Sequence, residues 1–360
     1  MHRRALLALA ASSLASLTFC PAYADEYRVT GPIVHENLAI YLVHGKSAAG
    51  PVPLTLEEAL AKRAVKVHET GNVNELQIEN LGTGEVFVQS GDIVKGGQQD
   101  RVLSISLVLP PKSGRINIAS FCVEQGRWTA RGREDVKTFA TAASSIPSRE
   151  AKIAMRAPVP ATEPTSTAQI NPLSSLSPRR TTAYTGEDTG QRQQEVWRRV
   201  RRVQDSLSDN VGARVQALAS ETSLQLALEN EKLKDAQAAY LKALKSSGEE
   251  DDDIVGYVFA VNGKLNSAEV YPSNGLFRKM WPKLLQASVT EAISHKKADN
   301  DAPPAGDVAL AFLDDAAKGK ATERPLPAEV RLEVRDADKA FYFETRRASG
   351  AFVHRSYLAK

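Results

Sequence analysis

The 360-residue sequence has two cysteines, little net charge and no long apolar run beyond its first residues. A formal net charge of +3 is too small to indicate nucleic-acid binding. No later run reaches the roughly 18 apolar residues that a membrane helix needs. These features argue against a disulfide-rich scaffold, a charge-driven nucleic-acid-binding protein and a chain with helical membrane spans.

Catalytic and metal-binding signatures are also scarce. The sequence contains no HExxH, CxxC or GxSxG motif. His44-Gly45-Lys46-Ser47 ends like a phosphate-binding loop, but Ile40 occupies the position of the first glycine. The acidic run Glu249–Asp253 lacks the spacing of a calcium loop and is interpreted as a solvated surface loop. We therefore expect no cofactor and no metal site, and binding rather than catalysis.

The first 24 residues have the pattern of a secretory signal peptide. Arg3 and Arg4 precede an apolar run, and small residues lead to a cleavage point after Ala24. The sequence thus predicts a periplasmic or secreted protein. Cleavage would remove Cys20 and leave Cys122 alone, which excludes an internal disulfide.

After the leader, changes in composition divide the chain into segments and favour an α+β fold. An antiparallel β-rich half, sandwich or barrel-like, is followed by a Pro/Ser/Thr-rich loop or linker, a helical hairpin and an α+β segment. The predicted bounds are 25–141, 142–190, 191–248 and 249–360. An alternative is one domain over 25–360 with a long insertion.

Alternating apolar residues predict strands in the β-rich half, and Thr55 is expected to cap a short helix over 54–62. The predicted strands are 38–43, 64–67, 73–78, 85–89, 102–109 and 115–123. The clearest is 102–109, in which Leu103, Ile105 and Leu107 face the core and Ser104 and Ser106 face the other way.

The later segments carry helical periodicity and then strands. Two helices are expected within 191–248, broken at 209–212 and ended by Gly248 in a left-handed conformation. Ile254–Val261 is apolar on both faces, which predicts a central strand, and Asn262-Gly263 predicts a type I′ turn after it. A helix over 277–293 is expected to have Pro282 in its first turn or at a kink. Further strands are predicted at 330–334, 339–345 and 351–357.

Two polar clusters are the candidate ligand site. The first contains two adjacent glycines that bring backbone amides close to a ligand, together with cationic and amide side chains. The second offers a guanidinium and an indole for stacking. The candidate residues are Lys95, Gly96, Gly97, Gln98, Gln99, Asp100, Arg101, Glu124, Arg127 and Trp128. The alternative is an ordinary polar hairpin with a salt bridge and a packed indole.

The two clusters are expected to meet in space, because the start of one strand of an antiparallel hairpin lies beside the end of the other. Opposite charges would then pair, Asp100 with Arg127 and Glu124 with Arg101. In an enzyme, Asp100 or Glu124 would be the general acid or base. Cys122 is expected to be a core residue, with a reactive thiol as the alternative.

The residues 91–101 and 122–128 resemble the ARG-and-rhodanese-phosphatase-superfamily-associated protein domain family. The strand-turn-strand at 255–271 and the segment 194–197 are also similar to that family, and the likeness covers roughly residues 35 to 300. The resemblance implies association with ADP-ribosylglycohydrolases and phosphatases, and hence a nucleotide- or ADP-ribose-like or other anionic small molecule as ligand.

Three function classes remain open after this resemblance. The first is an exported ligand-binding or accessory protein, and the second is a hydrolase or transferase acting on a phosphate- or sugar-containing substrate. The third is a structural envelope protein, with a partner protein bound through the helices of 191–248.

Overall fold

The computed structural model describes residues 26–158, 186–297 and 301–360. In chain order, its strands are β1 (Tyr27–His35), β2 (Leu38–Gly45), β3 (Leu54–Thr55), β4 (Val65–Asn72), β5 (Glu75–Asn80), β6 (Val86–Val88), β7 (Asp92–Gly96), β8 (Arg101–Leu103), β9 (Leu107–Leu109), β10 (Gly114–Cys122), β11 (Phe139–Ser145), β12 (Ile254–Val261), β13 (Lys264–Val270), β14 (Lys320–Leu326), β15 (Val330–Asp336), β16 (Ala340–Arg347) and β17 (Phe352–Ala359). The helices are α1 (Leu56–Ala61), α2 (Arg149–Arg156), α3 (Gly186–Val211), α4 (Leu224–Leu228), α5 (Glu231–Leu244), α6 (Asn274–Ser294) and α7 (Gly306–Ala317).

An eight-stranded antiparallel sheet joins the two ends of the chain. Its strand order is β1-β2-β12-β13-β17-β16-β15-β14. The strand β12 lies between β2 and β13 and all its residues are buried, which confirms the predicted central strand. Asn262 and Gly263 have φ angles of 50° and 74°, as the predicted type I′ turn requires. Because β1 and β2 pair into this sheet, it contains strands from both the N-terminal half and the C-terminal third of the chain.

The remaining strands form two smaller sheets. One has the order β11-β7-β8-β10-β5-β4 and the other has the order β3-β6-β9. Apart from the two-residue parallel pair β3/β6, the registered strand pairs of the described residues are antiparallel. Short antiparallel strands combined with helices confirm the predicted α+β class.

The predicted strand 102–109 is split between these two sheets. Leu103, Ile105 and Leu107 are buried in one apolar cluster, as predicted. The prediction of one continuous strand over 102–109 is wrong. Ser104 donates to the Ala119 carbonyl, and Ser106 accepts a hydrogen bond from the Ser90 amide. The chain therefore leaves one sheet after β8 and enters the next at β9.

The helical region also differs in detail from the expectation. The helix α3 ends at Val211, where a break was predicted. The predicted second helix is two helices, α4 and α5, and Leu218 before them is 89% exposed. Gly248 was wrongly predicted to be left-handed. It lies in the 3₁₀ turn Lys245–Glu249, where a Cβ would collide with the indole of Trp281.

The polar segment 142–190 contains ordered elements at both ends, so the prediction of a loop over its whole length is wrong there. Residues 142–145 complete β11, and α2 follows with Ser148 as its N-cap. Ala151 and Met155 of α2 are fully buried, and this apolar stripe is what orders the helix. Residues 159–185 lie outside the described part of the chain, as does the predicted leader.

The C-terminal third carries the predicted helix and strands. Pro282 lies in the interior of α6 rather than in its first turn. The strand β15 confirms the predicted alternation, and β16 and β17 confirm the two further predicted strands, whereas β1, β14 and α7 were not predicted. Among the residues that the structure describes, no helix is long and apolar enough to cross a membrane.

Candidate functional site

The two predicted clusters meet, because β8 pairs with the end of β10. Arg101 is the register partner of Cys122, and the Val123 amide donates to the Asp100 carbonyl at 3.1 Å. The Asp100 amide in turn donates to Glu124 Oε2 at 2.9 Å. The predicted proximity of the two clusters is therefore confirmed as geometry.

Asp100 and Glu124 form the centre of a buried ion network. Both side chains are inaccessible to solvent. The Arg131 guanidinium donates to both Asp100 oxygens at 3.0 Å and to Glu124 Oε1 at 3.2 Å. Arg127 Nε donates to Glu124 Oε1 at 2.8 Å, and Ser223 Oγ donates to Asp100 Oδ2 at 2.6 Å. Two carboxylates are thus compensated by two guanidinium groups in a space closed to water.

One of the two predicted ion pairs is present and the other is not. Asp100 and Arg127 lie 3.7 Å apart, as predicted. The predicted pair of Glu124 with Arg101 is wrong, because Arg127 and Arg131 occupy Glu124 and Arg101 instead contacts Glu69 at 3.3 Å. Sequence analysis missed the contributions of Glu69 and Arg131. Arg131 lies in an irregular segment and Glu69 in the outer strand β4, and no periodicity marks either charge as buried.

The adjacent glycines wrap the chain around Arg127. Gly96 and Gly97 have φ angles of 122° and 57°, and a Cβ at Gly97 would collide with the ring of Phe139. Their carbonyls accept hydrogen bonds from Arg127 at 3.2 and 3.1 Å, and the Gly96 amide donates to Asp100 at 3.0 Å. The glycine pair therefore holds protein groups in this structure, and its use for a ligand stays a prediction.

The electrostatics of the network favour the ionised form of Glu124. Burial alone would raise the pKa of Glu124, but hydrogen bonds from Arg127, Ser220 and the Asp100 amide lower it below its ordinary value. Burial alone would lower the pKa of Arg131, yet Asp100, Glu134 and Glu124 raise it. A carboxylate held in its ionised form has no proton to donate and is a poor general acid near neutral pH.

The other predicted cations are also paired. Lys95 Nζ contacts Glu229 at 2.6 Å, and Gln98 is half-buried with its amide donating to Glu69 at 3.2 Å. Cys122 is buried, and burial, the largest effect, raises the pKa of its thiol to about 12. The thiol is accordingly protonated at neutral pH, as expected of a core cysteine.

Two buried donors and one exposed aromatic ring are left over in this cluster. Gln99 Nε2 and Arg101 Nε are enclosed and have no hydrogen-bond partner among the described residues. The Arg101 guanidinium lies 6.0 Å from the ring centroid of Trp128, which is 47% exposed. Native proteins rarely leave buried donors unsatisfied, so each of these two donors calls for an acceptor, an ordered water included.

A separate group of possible metal ligands lies near the acidic run. Ligand atoms of His44, Asp251 and Asp253 lie within 4.8 Å of one another. His44 Nδ1 already contacts Asp253 at 2.7 Å, and Arg28 contacts the same carboxylate at 3.2 Å. His44 and Asp253 therefore already have protein partners.

The fold and the site define an α+β protein with a buried ion network beneath an exposed indole. The sequence matches the family model described as ARG and Rhodanese-Phosphatase-superfamily-associated Protein domain over residues 26–358. The chain belongs to that family, and the match extends beyond the segment 35–300 that carried the resemblance. Comparisons with curated proteins and with solved structures found no match.

Proposed function

We propose that this chain is an exported binding or accessory protein for a nucleotide-like small molecule, bound at Trp128 near Arg101. The observation that carries the proposal is the pair of unsatisfied buried donors beside an exposed indole. A flat base can stack on the indole, and its ring nitrogens can accept hydrogen bonds from the two donors. Stacking of a base on an aromatic side chain contributes about 1–3 kcal/mol.

The charges of the site favour recognition of the base over recognition of a phosphate. Each cation of the cluster already faces a carboxylate: Arg101 faces Glu69, and Lys95 faces Glu229. A phosphate would have to compete with these carboxylates for the same donors. The ligand's ring and its acceptor atoms therefore provide the recognition, and any phosphate remains near the solvent.

The association that the family description implies, with proteins acting on ADP-ribose, supports an adenine-containing ligand. Export is the second part of the proposal and rests on the leader and the cleavage point after Ala24. N-terminal sequencing of protein recovered from the periplasm should begin at Asp25. A chain that still begins with Met1 in that fraction would contradict export by cleavage.

The binding proposal is tested by thermal shift with three probes: ADP-ribose, adenosine and ribose 5-phosphate. We expect ADP-ribose and adenosine to raise the melting temperature, and ribose 5-phosphate to leave it unchanged. Gln99→Met, which removes the buried donor at similar volume, should abolish the shift. Gln98→Met is the matched control, because the half-buried Gln98 engages the network through its backbone amide.

Two results would contradict this proposal. One is an equal shift with ribose 5-phosphate, which would place recognition on the phosphate. The other is an unchanged adenosine response in Gln99→Met, which would separate the ligand from the buried donors.

A further inference from the structure

A groove with a volume of about 680 Å³ lies between helix α7 and the eight-stranded sheet. Its helix wall includes Val308, Ala311 and Phe312, whose spacing places them on one face of α7. Its sheet wall includes Leu265 of β13 and Ala340 of β16. The volume falls within the range of about 300–1,000 Å³ that is typical of small-molecule sites. The groove shares no lining residue with the candidate ligand site at Trp128.

The groove is apolar and unfilled because most of its apolar wall residues are small. Ala311 and Ala316 on the helix face Ala340 and Ala359 at the ends of β16 and β17. Alanine side chains are too short to fill the space between the helix and the sheet, so apolar surface is left in contact with water. Val308, a larger apolar residue on the same wall, is 47% exposed. An apolar ligand would remove this surface from water, which is favourable.

The groove follows the helix axis. The wall from Val308 to Ala316 covers eight residue steps of about 1.5 Å, or about 12 Å, and it continues past the end of α7 to Lys320. An extended acyl chain of about a dozen carbons can contact each of these helical turns in succession. The groove thus favours a long, flexible apolar chain as its occupant.

Positive charge lies at one end of the groove. Lys318 and Lys320 follow the last turn of α7, and Lys339 lines the same end from the turn between β15 and β16. Lys318 pairs with Asp315 at 3.1 Å. Lys320 and Lys339 are exposed, and neither forms an ion pair within the described part of the chain.

The acidic residues at this end leave an excess of positive charge. Asp336 lines the groove but pairs with Lys360 at 2.5 Å. Asp338 is the remaining carboxylate of the lining, and it stands against the two lysines Lys320 and Lys339. Electrostatic complementarity therefore favours a carboxylate head at the lysine end, with the acyl chain directed toward Val308.

We propose that this groove binds one molecule of a long-chain fatty acid. The acyl chain lies along α7, and its burial supplies most of the affinity. The carboxylate stays near the solvent beside Lys320 and Lys339 and sets the direction of the chain. The proposal does not depend on the ligand site at Trp128.

The test uses the whole chain and displacement of dansylaminoundecanoic acid, below its micellar concentration, by octanoate, decanoate and dodecanoate. We expect saturable binding of one molecule per chain. Burying one methylene corresponds to a factor of about four in Kd, so each added pair should tighten binding roughly 4- to 15-fold, depending on how much the open groove covers. Dodecanol is the uncharged probe.

Two changes test the chain and the head separately. Ala311→Trp, which places an indole in the groove from an exposed position, should weaken dodecanoate by about tenfold or more, and Ala238→Trp on an exposed face of α5 is its control. Lys320→Gln combined with Lys339→Gln should weaken dodecanoate by roughly threefold to tenfold and leave dodecanol unchanged. Lys232→Gln on α5 is the control for the charge change.

The proposal fails if binding does not saturate at one molecule, if Kd is independent of chain length, or if Ala311→Trp binds as tightly as Ala238→Trp. It also fails if the double lysine change leaves dodecanoate binding unchanged. A wild-type dimer that Ala311→Trp dissociates would identify a second copy of the chain as the occupant and overturn the proposal. Thermal melting checks the fold of each variant. Should Ala311→Trp not fold, Val308→Gln takes its place, and unchanged dodecanoate binding there would equally refute the site.

Discussion

Asp100→Asn tests whether the buried ion network holds the site together. The substitution preserves shape but removes the charge that faces both donors of Arg131 and the hydroxyl of Ser223. Asp100 is completely buried, so no water replaces the lost interaction. Breaking one side of a buried pair leaves the other charge uncompensated and typically costs about 3–5 kcal/mol. We expect a loss of that size in the free energy of unfolding.

The assay is urea unfolding followed by circular dichroism, with Asp315→Asn as the control. Asp315 pairs with Lys318 at 3.1 Å, but both side chains are mostly exposed, and such pairs contribute under about 1 kcal/mol. Adding Arg131→Gln to Asp100→Asn should cost less than the sum of the two single losses, because the two residues interact within one network. A loss below about 1 kcal/mol for Asp100→Asn would refute the description of the network as closed to solvent.

Three further predictions concern stability. Ile105→Ala should cost about 2–5 kcal/mol in urea unfolding, and a loss below about 0.5 kcal/mol would contradict its burial. Gly248→Ala should cost about 1–3 kcal/mol through collision with the neighbouring indole, whereas Gly84→Ala, which has open space, should not; equal effects would refute this. The pKa of His295 is raised by Glu291, so their pair stabilises the fold below the ordinary histidine pKa of 6.5 and loses this effect as pH rises through the raised value. His295→Gln should remove that pH dependence from the melting temperature. An unchanged pH profile in the variant would mean that another group causes the dependence.

Features fixed by local sequence could be predicted. The apolar run of β12 and the Asn262-Gly263 turn follow from side-chain pattern and backbone preference within a few residues. The capping box at Thr55, in which the Glu58 carboxylate accepts a hydrogen bond from the Thr55 amide, is local in the same sense. The meeting of the two candidate clusters was also predictable, because it needs only one antiparallel pair.

Features that depend on distant contacts could not be predicted. The split of the strand at Ser104–Ser106 arises from bonds to Ala119 and His354, which no local pattern shows. Arg131 enters the network from an irregular loop, and Glu69 comes from the outer strand β4. Composition marked these residues as a polar group. It did not show that most of their hydrogen bonds would be made to one another.

The most direct test of the proposed ligand site is a fluorescence titration with adenosine, run beside calorimetry. Trp128 is 47% exposed whereas Trp281 is fully buried, so a ligand stacking at the site should quench Trp128. We predict saturable quenching in the wild-type chain. In Trp128→Phe the quenching should vanish while calorimetric binding persists on the remaining ring, and Trp128→Ala should lose both. An absence of saturable binding in the wild-type chain, or quenching that survives Trp128→Phe, would contradict the site.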